Sequence, residues 1–264
     1  MGSVNTAAFF DLDKTIVATS ASTAFSKDFH DQGLLTRADA IRTAYAQLLF
    51  MMGGADEKQT SRLRDSISEL IEGWPVDRVK AIVNEGSERE INPYVYQEAV
   101  RLIRQHQANG RDVVIISASG DEVVQPIAAM LGADHAIGSR MTVADGKYTG
   151  TIEFYAYGPA KAEAVRELAE KYDYDLDGSY AYSDSLTDAP MLNAVGHGFA
   201  VNPDRAMRRA CIENGWGVLR FSKPIALRDA HRRRGMAIGL VGLAIASGVA
   251  WWVMAQRRRQ ERAA

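Results

Sequence analysis

"DVVII", residues 112–116, is an almost fully apolar run between the "NG" of residues 109–110 and the polar "SASG" of residues 117–120. A strand with one wet face alternates apolar and polar residues, whereas a strand covered on both faces does not. The run therefore reads as an interior strand of a parallel sheet, and such strands need crossover helices. Helical stretches flank it on both sides, at 94–108 and 121–131. Further along, "VADGKYTG" (143–150) carries an Asp145-Gly146 pair that predicts a hairpin turn. A helix at about 159–172, a strand near 179–182, a helix, "GFAV" at 198–201, another helix and "WGVLRF" at 216–221 come next. Upstream, "AAFF" at 7–10 reads as a short buried strand. This alternation predicts an α/β fold: a doubly wound parallel sheet with helices on both faces. In such sheets the ligand site lies beyond the carboxyl ends of the strands.

Between the first strand and residue 90 the texture is helical. Thr36 is a plausible N-cap, with Ile41, Ala44, Tyr45, Leu48, Leu49 and Met52 on one helical face before the "GG" of 53–54. Leu63, Ile67, Leu70 and Ile71 mark a second amphipathic helix, and Val76, Val79, Ile82 and Val83 a shorter third. A small helical module inserted after the first strand is expected. At 264 residues the chain can bury one sizeable core and still carry such a module.

The formal net charge of −2 leaves no electrostatic footprint for nucleic acid. Cys211 is the only cysteine, which excludes an intrachain disulfide and cysteine-based zinc spacing. The five histidines are scattered without a metal-ligand rhythm. The N-terminal "MGSVNTAAFF" lacks the basic and apolar regions of a signal peptide, so the bulk of the chain is expected in a reducing, magnesium-rich cytosol.

The chemistry gathers at strand and helix ends. "FFDLDKTIV" (9–17) sets Asp11 and Asp13 immediately after the first strand. Two carboxylates so close repel each other unless a cation, a phosphate-binding frame or a proton transfer uses them. Ser117 comes just after the 112–116 run, Lys161 sits in the first turn of the 159–172 helix, and Asp184 and Asp188 lie in "SDSLTD" past the 179–182 strand. Magnesium takes carboxylate, carbonyl and water oxygens beside a substrate phosphate, and Asp11 and Asp184 can supply the carboxylates. An aspartate attacking phosphorus divides a hard hydrolysis into two easier steps. A second carboxyl group two residues on can protonate the leaving oxygen and later deprotonate water. Ser117 and Lys161 can stabilise charge on the transferring phosphoryl oxygens. Singly, each has a plainer reading: Asp13 caps the next element of the chain, Lys161 is a solvated charge paired with Glu163 or Glu167, and Asp188 caps the helix of "APML".

Taken together, "DLDKT" (11–15), Ser117 in "IISAS", Lys161 and "SDSLTD" (183–188) resemble, in order, the four motifs of the haloacid-dehalogenase-like superfamily, in its phosphoserine-phosphatase-like branch. The resemblance covers about residues 5–222 and implies a Rossmannoid core at 1–17 and 91–222, with a helical cap at 18–90. It implies a magnesium-dependent phosphomonoester hydrolase with Asp11 as nucleophile and Asp13 as general acid/base. Ser117 and Lys161 would hold the phosphate. The metal set would be Asp11, Asp184, Asp188 and the backbone carbonyl of Asp13. Phosphoserine phosphatases of this branch carry an acidic residue nine positions after the nucleophile for the substrate amine; here that position is Ser20. Arg42, Arg62 and Arg64 are candidates for a substrate carboxylate.

"MAIGLVGLAIASGVAWWVMA" (236–255) is twenty residues without a charge, about 30 Å as a helix, with Trp251 and Trp252 near one end. It predicts a single-pass transmembrane helix between a basic linker at 223–235 and a basic tail at 256–264. Arg228, Arg232, Arg233 and Arg234 on one side nearly balance Arg257, Arg258, Arg259 and Arg262 on the other, so charge alone leaves orientation open. The need for magnesium favours a catalytic domain facing the cytoplasm. Gly235-xxx-Gly239 and Ala246-xxx-Ala250 spacings would allow helix pairing and a homodimer. The expected partner is a phosphorylated small molecule or a lipid phosphate monoester, and no nucleic acid. The alternatives are a tethered phosphatase of phosphoserine or another small metabolite, a phosphotransferase, and a catalytically silent tethered binding protein.

Overall fold

The structure, a computed structural model, describes residues 5–36, 65 and 68–222. The expected cap helix around Ile41–Met52, the three candidate cap arginines, the 236–255 stretch and both basic flanks lie outside the described residues. Among the described residues no helix is long and apolar enough to cross a membrane.

Seven strands form one sheet: β1 (Ala7–Phe10), β2 (Asp112–Gly120), β3 (His135–Ala144), β4 (Lys147–Phe154), β5 (Tyr180–Ser183), β6 (His197–Val201) and β7 (Gly217–Leu219). Their spatial order is β4-β3-β2-β1-β5-β6-β7. β1 lies between β2 and β5, parallel to both, with Ala8 opposite Val113 and Tyr180. The chain winds outward from β1 in both directions, which places a topological switch point at its carboxyl end. The sheet is parallel except at one edge. There β4 runs antiparallel to β3 through a two-residue turn, with Asp145 at φ 49° and Gly146 at φ 73°. Positive φ at both positions matches a hairpin turn of the type an Asp-Gly pair favours.

The described helices include α1 (Ala21–Ala24), α2 (Ser26–Asp31), α3 (Val76–Ile91), α4 (Gln97–Ala108), α5 (Asp121–Leu131), α6 (Pro159–Tyr172), α7 (Ala189–Leu192) and α8 (Arg205–Asn214). Period two explains the apolar runs of β1 and β2. Ala8, Phe10, Val113 and Ile115 point to one face, among Val83 of α3, Ile103 of α4 and Ile127 of α5. Ala7, Phe9, Val114 and Ile116 point to the other, among Val165 of α6, Leu192 of α7 and Met207 of α8. Both faces are dry over Ala7–Phe10 and Val113–Ile116, so neither run carries a polar alternate.

Two elements run further than the sequence predicts. The third helix of the expected cap is not short: α3 spans 16 residues. Its second half, "NEGSERE", has little apolar rhythm and contains Gly86, a residue that weakens a helix pattern. Gly86 is a point of close approach, since a Cβ there would meet Asp28 Oδ2 at 2.7 Å and the Phe25 ring at 3.1 Å. The second strand continues past Ile116 to Gly120, so Ser117 lies within β2 and not after it. The β2–β3 register shifts between Ile116 and Gly120 while pairing persists. Ser139 clamps this irregular end, donating to Ala118 O (2.8 Å) and accepting from Ala156 N (3.1 Å).

His106 of α4 is buried against this sheet. Its Nε2 shares a 2.8 Å hydrogen bond with the Tyr182 hydroxyl, and Nδ1 has no partner. Burial holds its pKa down to about 4, and the Arg111 charge acts in the same direction. Above pH 6.5 this group leaves stability unchanged. As pH falls from 6.5 towards 4 the unfolded chain binds a proton that the folded chain refuses, so stability drops, by about 3 kcal/mol at most. His106→Phe is expected to narrow the gap between urea midpoints at pH 7.5 and pH 4.5. An unchanged gap in the variant would mean that His106 carries none of the acid sensitivity.

Candidate active site

Asp11 is the first residue after β1, and its N–H donates to Tyr182 O of β5 at 2.9 Å, which fixes it at the switch point. Its Oδ1 accepts from Lys161 Nζ at 2.6 Å. Lys161 reaches back from the first turn of α6, and Nζ also donates to Asp188 Oδ2 at 2.7 Å. The same oxygen accepts from Ser183 Oγ at 2.7 Å. Lys161 and Asp188 are each only 2% exposed. The plainer readings of these two residues therefore fail. Lys161 is not solvated, and Asp188, although it precedes α7, makes no capping bond with its side chain.

Asp13 sits one turn further on, before Lys14 at φ 60°. Its Oδ1 accepts from Ala21 N, the first residue of α1, at 2.8 Å, and its Oδ2 from Ser119 Oγ at 3.3 Å. Asp13 thus does hold the start of a helix, as its plainer reading supposes, while standing beside the Asp11 group. Thr15 links the two strand ends. Its Oγ1 accepts from Asp184 N at 3.0 Å and lies 3.4 Å from Asp184 Oδ1. Ser117 is buried on β2, with Oγ accepting from Ser119 N at 3.2 Å.

Four carboxylates, Asp11, Asp13, Asp184 and Asp188, thus share one mostly buried region with the ammonium of Lys161. Burial pushes the Asp11 carboxyl well above its ordinary range; Lys161 opposes this, while Asp188, Asp184 and Asp13 add to it. Burial also raises Asp13, against the hydrogen bonds from Ala21, Ser20 and Ser119. Asp184 is raised by burial and by Asp188, with Lys14 and Lys161 pulling the other way. Burial alone would lower Lys161, but Asp11 and Asp188 outweigh it and drive it up.

Among the described residues, no three acidic, histidine or cysteine side chains are gathered to hold a metal ion. Lys161 Nζ stands between Asp11 and Asp188, and Asp188 is engaged by Ser183 as well. The carboxylates of Asp11 and Asp184 and the backbone carbonyl of Asp13 are the oxygen donors that a metal ion would use here. All-oxygen donors with excess negative charge fit a hard divalent cation that keeps several of its waters.

Thr15, Ser119 and Ser183 join the site without having been expected there. Ser119 has a usable signal in the sequence, because residues two apart on a strand share a face and Ser117 is itself a candidate. Thr15 lies inside the "DLDKT" motif. Ser183 has no signal beyond its place before Asp184.

An aspartate-centred cluster at the switch point of a doubly wound sheet defines an α/β enzyme built to handle an anionic group. The chain belongs to the haloacid dehalogenase-like hydrolases, whose family profile matches residues 8–193. It is 50% identical over 263 residues to an inhibition of morphological differentiation protein of Streptomyces azureus, covering 96% of this chain and 94% of that one. It is 54% identical over 224 residues to a probable phosphatase of Mycobacterium tuberculosis, covering 85% of this chain and 78% of that one. A phosphoserine phosphatase solved as a phospho-aspartyl intermediate analogue superposes with a TM-score of 0.60 at 21% identity. That match covers 87% of this chain and 99% of the other, and it speaks for the fold.

Proposed function

We propose that this phosphatase hydrolyses phosphate monoesters through a phosphorylated Asp11. The observation that carries the reading is the buried Asp11–Lys161–Asp188 triad at the switch point, with Asp13 beside it. An Asp11 carboxylate oxygen attacks phosphorus and the P–O bond to the ester oxygen breaks. Asp13 gives its proton to that leaving oxygen. Water then attacks the aspartyl-phosphate and passes a proton to Asp13, and Asp11 leaves as carboxylate with inorganic phosphate as product. Lys161 and Ser117 face the charge on the phosphoryl oxygens, and Asp188 with Ser183 holds the Lys161 ammonium in place. Magnesium held by Asp11, Asp184 and the Asp13 carbonyl would neutralise charge on the transferring group.

Ser20 bears on the substrate. It precedes α1, makes no capping bond with its side chain, and its hydroxyl bonds to Asp13. A substrate ammonium finds no carboxylate at that position, which supports an ester without an amine over phosphoserine. The uncharged 236–255 stretch, flanked by arginines, supports a single-pass anchor with the catalytic domain facing the cytoplasm, and with it a membrane-associated phosphate monoester.

The test is phosphate release by the full chain in mild detergent, with magnesium and with chelator, on an aryl phosphate, phosphoserine and a short-chain lipid phosphate. Release should need magnesium, and the lipid phosphate should outpace phosphoserine by about tenfold or more, the scale of one unmet charge contact. No release from any ester by folded protein would leave a binding protein as the better reading. Faster turnover of phosphoserine would remove the substrate proposal and leave the mechanism standing.

A further inference from the structure

Ser119 and Ser22 make a hydroxyl chain onto Asp13 that the mechanism above does not use. Ser22 Oγ, at an exposed position of α1, donates to Ser119 Oγ at 3.0 Å, and Ser119 Oγ donates to Asp13 Oδ2 at 3.3 Å. The other Asp13 oxygen is pinned by Ala21 N at 2.8 Å. Ser119 itself has little freedom: it is buried in the irregular end of β2, and its own N–H is tied to Ser117 Oγ. The donors point the same way along the chain, so each polarises the next.

We propose that Ser119, backed by Ser22, is the positioning residue for proton transfer by Asp13; the proposal rests on the reading of Asp13 as general acid/base. The contacts from the start of α1 and from β2 divide the labour of the carboxyl group. The short bond from Ala21 fixes Oδ1 to the backbone. The longer one from Ser119 aims Oδ2 while leaving it the weaker-held oxygen, hence the one that exchanges its proton with the ester oxygen. The terminal torsion of an aspartate is broad. With Ser119 gone, the restraint left comes from Ala21 and Ser20, both at the start of α1, and Oδ2 is freer to turn away from the leaving group.

Leaving-group dependence separates this role from a structural one. An ester whose alcohol is a poor leaving group needs the proton in the bond-breaking step, whereas an activated aryl ester departs without it. The experiment measures kcat/KM, which covers steps up to loss of the alcohol, for the full chain on aryl phosphates of falling acidity and on an alkyl phosphate. Ser119→Ala is expected to lose about 10- to 100-fold on the alkyl ester and less than about threefold on the most activated aryl ester, the range that misplacing a catalytic group commands. Ser119→Thr keeps the hydroxyl and should recover the alkyl activity to within about threefold. Ser22→Ala, one link further out, should show the same tilt at smaller size. An equal loss on every ester, or no loss, in Ser119→Ala would overturn the assignment. Asp13→Asn serves as the reference: if it too shows no leaving-group tilt in an active parent, the reading of Asp13 as the acid is wrong, which is a different failure.

Discussion

Asp11→Asn is expected to abolish phosphate release, with a loss on the order of 10⁴-fold or more in kcat, while the protein stays folded. A carboxamide cannot form the aspartyl-phosphate, and the other groups of the site have nothing to assist without it. The fold should tolerate the change for an electrostatic reason. Lys161 keeps its 2.7 Å partner in Asp188. One of four clustered carboxylates disappears, and with it the repulsion between Asp11 and its neighbours Asp188, Asp184 and Asp13. The melting temperature should therefore hold or rise by a few degrees. Acid-quenched parent enzyme should retain label from a ³²P-ester on a base-labile bond, and the variant should retain none. Label retained by the variant would move the nucleophile elsewhere.

Lys161→Met should act in the opposite balance, costing stability as well as activity. The ammonium is the only cation in ion-pair distance of Asp11 and Asp188 among the described residues. Removing it leaves two buried carboxylates that cannot regain water, a defect of about 3–5 kcal/mol. Against a domain stability of about 5–15 kcal/mol, the midpoint should fall by about 10 °C or more. The defect has a pH signature. Without Lys161 the Asp11 carboxyl is raised further, so the folded variant binds protons that the unfolded chain releases. Its deficit must then shrink as pH falls and grow as pH rises. Activity should drop about 10²- to 10³-fold, the scale of one lost charge-stabilising donor. A variant as stable as the parent at pH 8 would show that the triad does not bear on the fold.

Much of this can be read from the chain because local chemistry and tertiary context agree. The α6 helix starts at Pro159, where a missing N–H costs nothing, and ends before Asp173 in a left-handed conformation. The 145–146 turn results from the two residues that tolerate it. The "DVVII" run shows its double burial because no polar alternate interrupts it. The features that cannot be read depend on neighbours distant in sequence. Nothing near Gly86 shows that it accommodates the Phe25 ring. The sequence points to Lys161 and Asp188 for the site, but as a phosphate holder and a metal ligand. That they bind each other is set by how α6 and the loop after β5 meet. Ser119 escapes notice because the apolar run stops at Ile116, although the strand does not.

The central place of β1 carries a consequence for how the molecule is made. β1 precedes the other described strands along the chain, yet one of its two neighbours is β5, with Ala8 opposite Tyr180. At about 5–20 residues per second, the growing chain spends on the order of ten seconds or more with that edge of "AAFF" unmatched. Asp11, Lys161 and Asp188 can meet only after this interval. The nascent enzyme therefore carries an unpaired strand edge before it has any catalytic centre, and shielding of β1 during that time favours a correct sheet.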